Sequence, residues 1–168
     1  MPISMYEASV PLFNQMLGAL SGLLDKAAAF AEAKKIDPAV LLTDRLAPDM
    51  FPLTRQVQIA CDMAKRCAAH LAGVEAPAYA DDETTIDELK ARIAKTVAFL
   101  ATLTPAQIDG SEERPITLKM RSGEMSFTGQ RYLLRWMIPN FTFHCTTSYN
   151  ILRHNGIEIG KRDFVGAY

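Results

Sequence analysis

Asn140, His144 and Thr147 are the residues of this chain whose types and spacing could do chemistry. They lie four and three apart, so on a helix they stack along one face, in a line that also takes in Leu133, Met137 and Ile151. No Asp, Glu, Lys or Arg falls between Trp136 and Leu152, which marks the stretch as interior. A buried polar group without a partner costs roughly 1–3 kcal/mol. The three side chains must therefore hydrogen-bond across the core or line a cavity holding water, a metal ion or a small molecule. Asn140 and His144 are spaced to share a metal, although an amide is a poor ligand beside an imidazole or a carboxylate. A satisfied core histidine with an amide partner is the plain alternative.

Other candidates are weaker. Gln56 borders the inward stripe of an earlier helix and could point at the same polar island of Asn140, His144 and Thr147, or serve as a solvated or capping amide. Gln58, Asp62 and Lys65 read as side-chain pairing on a helix surface. Cys145 adjoins His144, but helix neighbours diverge by about 100°, which argues against a Cys–His dyad. His70 and His154 sit near helix ends and read as surface residues. Tyr132, Trp136 and Tyr149 read as core or interface. No glycine-rich phosphate loop, zinc-ligand spacing or nucleophile elbow occurs.

The elements that must position these residues follow from periodicity. A first helix is expected over 4–34, with Phe13, Leu17, Leu20, Leu24, Ala27 and Ala31 as its stripe and Pro11 kinking it or closing a preliminary turn. Asp37-Pro38 starts a short helix through Leu42. A second long helix runs from Pro52 or Leu53 to Gly73, with Leu53, Val57, Ala60, Ala64, Cys67 and Leu71 inward. The third opens with a Thr85/Glu88 capping box, and its inward line runs from Ile86 to Leu103. The period then changes to two. Ile116–Met120 and Met125–Thr128 flank Arg121-Ser122-Gly123-Glu124, a β-hairpin. The fourth long helix, from Gly129 to Gly156, is kinked or bulged near Pro139, and the tail after it, too short to form an element of its own, packs back on the helices. The pattern is all-α: a four-helix bundle with a small β-hairpin inserted before the last long helix.

Composition narrows the function classes. One domain over residues 1–168 suffices for this length. A net charge of -1 with scattered Lys and Arg argues against a nucleic-acid face. The N-terminus lacks the basic region of a secretory signal. The uncharged stretches at Ala8–Leu24 and Trp136–Leu152 fall short of the ~20 apolar residues that a membrane span needs. Three cysteines with no framework spacing read as reduced, buried thiols, the expectation for a cytoplasmic protein.

The stretches FPLTRQVQIACDMAKRCAAHLAG, DELKARIAKTVAFL and above all FHCTTSYNILRHNGIEIGKRDF resemble the DinB-like superfamily, in a branch of unknown function. The resemblance covers nearly the whole chain. It implies a helical bundle with a long crossover, frequent homodimers and, in many members, a divalent metal held by three histidines. One of these comes from the second helix and two from an HxxxH pair on the fourth. Asn140 and His144 fall at the HxxxH positions here, and Gln56 or Gln58 stands where the second helix would supply its histidine. One of three ligands survives. The resulting expectation is a homodimeric protein that binds a small polar ligand through Gln56, Asn140, His144 and Thr147 in a central pocket, most of the metal site having been lost. The alternatives are a transferase or hydrolase using a divalent metal (zinc or nickel) on His144, and a non-catalytic homodimeric interaction protein.

Overall fold

The computed structural model describes residues 3–120 and 123–167. Its first helix, α1, spans Val10–Lys34 and starts later than the periodicity implies. Pro11 lies in the first turn, where its missing N–H would have had no helical partner. The residues before it form a turn in which the Ser9 hydroxyl donates to the Met5 carbonyl at 2.6 Å. Helix α2 is Pro38–Thr43, capped by Asp37, whose carboxylate accepts the Ala39 N–H at 2.9 Å.

Helix α3 runs Leu53–Ala72 and ends on Gly73 in the left-handed conformation at φ 70°, which a side chain rarely adopts. Helix α4, Ile86–Leu100, opens on the expected capping box. Thr85 Oγ1 accepts the Glu88 N–H at 3.2 Å, and the Glu88 carboxylate accepts the Thr85 N–H at 2.9 Å. A single turn, α5, follows at Pro105–Ile108.

Strands β1 (Pro115–Met120) and β2 (Gly123–Thr128) pair antiparallel, with Ile116 opposite Phe127 and Leu118 opposite Met125. The turn expected between them includes Arg121 and Ser122, which lie outside the described residues. The last long helix is continuous from Gly129 to His154 but changes pitch. A short α6, Gly129–Arg131, leads into a π-helical stretch at Tyr132–Met137 and then into α7, Ile138–His154. The Ile138 N–H reaches the Leu133 carbonyl, five residues back. Pro139, next in line, has no N–H to give, and its ring would clash with the carbonyl four residues earlier; a wider turn relieves both. The tail carries a short helix, α8, at Lys161–Val165, which packs on α1. The tail thus forms an element of its own, contrary to the expectation from its length.

Among the described residues, the long helices α1, α3, α4 and α7 pack around the core. α3 packs on α7 and α4, and α1 packs on α4 and α7. Phe13, Leu17, Leu24, Val57, Cys61 and Phe141 are fully buried between them. The Phe13 and Phe141 rings meet edge to face at 4.9 Å. No described helix is long and apolar enough to cross a membrane.

Candidate functional site

The π-helical stretch decides what the last helix presents. An extra residue in one turn shifts every later side chain around the axis by about one position. The line facing the core thus runs Leu133, Met137, Phe141, Cys145, Ser148 and Leu152, all buried. The unbroken period had predicted Asn140, His144, Thr147 and Ile151 in their place. Thr147 and Ile151 are still buried, on the flank of that line, but Asn140 and His144 are only half-buried. The island therefore lies at the edge of the core, not at its centre.

Of the four expected residues, the structure brings two into contact across helices. His144 Nδ1 lies 2.7 Å from Gln56 Oε1. Gln56 is buried, and its Nε2 donates to the Phe51 carbonyl at 2.9 Å. With the amide so committed, only its oxygen faces the imidazole, and an oxygen can only accept. The proton therefore sits on Nδ1, and Nε2 carries a lone pair. Burial, followed by the nearby Arg55 cation, holds the His144 pKa below the ordinary histidine value. The ring is neutral at pH 7. Asn140 turns away from this pair: its amide donates to the Trp136 carbonyl of its own helix at 2.6 Å.

These residues do not fit a divalent metal. One imidazole is flanked by amides already engaged elsewhere. Among the described residues no group of three or more His, Cys, Asp and Glu side chains could hold an ion. The three cysteines are free and buried. Burial pushes the Cys61 thiol up to about 12 and raises Cys67 and Cys145 as well, so none is a ready nucleophile.

Two readings of surface residues are overturned. Gln58 and Lys65 are buried, and with Asp62 they join a charge cluster organised by Arg92, whose side chain is 2% exposed. Arg92 lies 2.8 Å from Asp62 and 2.9 Å from Glu83, and it donates to the Ala80 carbonyl at 2.8 Å. Lys65 lies 3.0 Å from Asp62, with its ammonium 3.6 Å from the centre of the Tyr79 ring. Gln58 donates to Glu83 at 2.8 Å. The helix periodicity of 53–72 carried no sign of this, because the partners Ala80, Glu83 and Arg92 come from later in the chain. The cluster ties residues 79–83 to α3 and α4, but among the described residues Arg92 Nε and the Tyr79 hydroxyl are buried in it without a hydrogen-bond partner.

His70 is likewise not a surface residue. It is half-buried and its Nδ1 lies 2.8 Å from the hydroxyl of Tyr132, which is itself 1% exposed. The ring lines a cavity of about 750 Å³ beneath the hairpin. Sequence reasoning passed over it because Tyr132 is distant in the chain. α3 and the last helix run antiparallel, so Gln56 meets His144 near one end of α3 and His70 meets Tyr132 near the other.

The architecture has a close counterpart among solved structures. The crystal structure of a DinB family member protein from Shewanella denitrificans is 44% identical in sequence, with a TM-score of 0.89 over 97% of this chain and 92% of that one. The fold, mostly helical with a two-stranded hairpin before the last long helix, is DinB-like. Residues 5–165 match the family described as Domain of unknown function (DUF1993), and the chain belongs to that family. No curated protein matches it.

Proposed function

We propose that this chain is a DinB-like four-helix bundle that binds a small polar molecule at the His144–Gln56 pair, in the place where relatives of the wider superfamily hold a metal. The observation that carries this reading is the 2.7 Å contact with its committed amide. It holds a neutral imidazole in one tautomer and leaves Nε2 as an acceptor. A hydroxyl, amine or thiol could donate to that nitrogen, while the neighbouring Arg55 cation, already paired with Asp81 and Gln58, would have to share itself with an acid group on the same molecule. Asn140 and Thr147 flank the pair on the same helix. A divalent-metal transferase or hydrolase would need donors that this site does not supply. A thermal-shift screen with small hydroxy, amino and thiol acids tests the proposal. A ligand at 100 times its dissociation constant contributes about 2.7 kcal/mol, and His144→Ala removes that stabilisation. A flat screen, or a shift that survives His144→Ala, refutes the reading.

A second reading is favoured by exposed aromatic rings. Phe143 is 54% exposed with its ring centre 5.3 Å from that of His144, and Phe51, which caps Gln56, is 56% exposed. Large exposed rings beside a site fit an interface between two copies of the chain. Light scattering at micromolar concentration should give a dimer that Phe143→Asp dissociates. A wild-type monomer rules this interface out. A reduced cytoplasmic setting accords with three free buried thiols.

A further inference from the structure

The cavity beneath the hairpin lies about 21 Å along α3 from Gln56, counting about 1.5 Å per residue to His70. Its walls divide by chemistry. Met63 of α3 and Trp136 and Met137 of the last helix supply an apolar surface, while Arg66, His70 and Lys119 supply polar groups. Among the described residues no carboxylate lines it. Arg66 is engaged only loosely, 3.4 Å from Asp62, and that carboxylate is already held at 2.8 Å by Arg92 and 3.0 Å by Lys65. Lys119 makes no ion pair among the described residues. The Tyr132 hydroxyl holds His70 through Nδ1. Burial and the Arg66 cation both disfavour a charge on that imidazole, so the fixed positive charge at the cavity comes from Arg66 and Lys119.

We infer that this cavity is a second binding site, which takes a small amphipathic anion with its flat apolar body against Met63, Trp136 and Met137 and its acid group at Arg66 and Lys119. Volume and lining suit such a molecule: about 750 Å³ lies in the range of small-molecule sites, and apolar walls with a few convergent polar groups are their usual make-up. Met side chains on two walls adapt to different apolar shapes. Asp62 lies 3.4 Å from Arg66 and Glu124 stands opposite Lys119 in the hairpin, but neither carboxylate lines the cavity, so the charge presented inside it is positive and selects the occupant.

The single tryptophan of the sequence is Trp136, which lines the cavity and reports on it. The test is energy transfer from Trp136 to two probes of the same aromatic skeleton, the anionic 8-anilinonaphthalene-1-sulfonate and the neutral N-phenyl-1-naphthylamine. The sulfonate probe should bind saturably and more tightly than the neutral one, with an affinity that falls as salt rises. Arg66→Gln combined with Lys119→Gln, both at exposed positions, should weaken the sulfonate probe about tenfold, a loss of about 1.4 kcal/mol, and leave the neutral probe within about twofold. Equal affinity for the two probes, an unchanged sulfonate affinity in the double variant, or no saturable transfer overturns the assignment.

Discussion

Replacing Gln56 with Leu tests the central contact of the proposed site. The substitution removes two hydrogen bonds at once, the one received from His144 at 2.7 Å and the one given to the Phe51 carbonyl at 2.9 Å. Each is worth about 1 kcal/mol net, and a partner left dry would cost more. His144 is half-buried and Phe51 is exposed, so water can reach both groups and the loss stays near the sum of the two bonds. The expected destabilisation is about 2 kcal/mol, a fall in Tm of roughly 4–8 °C for a domain of this size. The same variant should release the imidazole from its tautomer. Long-range proton–nitrogen NMR correlations on the wild type should show the His144 proton on Nδ1; in Gln56→Leu the ring should revert toward the Nε2–H form that imidazoles prefer in water. A wild-type ring protonated on Nε2, or a loss below about 0.5 kcal/mol, would show that Gln56 does not hold His144 as described.

Three further outcomes follow from the geometry. Arg92→Leu strands Asp62 and Glu83 without their main cation and should cost about 3–5 kcal/mol in urea unfolding; a loss under about 1 kcal/mol would mean that water already shares the cluster. Gly129→Ala would place a Cβ 2.0 Å from the Ser111 carbonyl oxygen, backbone against backbone, so the junction between hairpin and helix must shift at a cost of about 1–3 kcal/mol; an unchanged Tm refutes the close approach. His70 and His144 both titrate below their unfolded value of 6.5, so as pH falls the unfolded chain takes up protons first. Their stabilising contribution is complete above that value and is lost as pH drops through the folded values. The urea midpoint should be lower at pH 5.5 than at pH 7.5, by a margin that shrinks in His70→Gln/His144→Gln, and a higher midpoint at the acid end contradicts the sign.

What the sequence by itself determined is local. The stripe of Leu53, Val57, Ala60 and Ala64, the Thr85/Glu88 box, Gly73 beyond its helix and the alternation of Ile116, Leu118 and Met120 place helices and hairpin, because each depends on residues within a turn or two of each other. Pro139 announced a disturbed helix, and helical spacing singled out His144 and, beside the inward stripe of an earlier helix, Gln56. Only the tertiary structure decided which way those side chains point. The π-helical turn moves the inward line by one residue, from Asn140 and His144 to Phe141 and Cys145, a rotation that a fixed period of 3.6 cannot contain. Arg92 with Glu83 and Asp62, and His70 with Tyr132, are pairings across separate elements. Whether a charged or polar side chain is solvated or buried depends on partners that chain folding alone brings within reach.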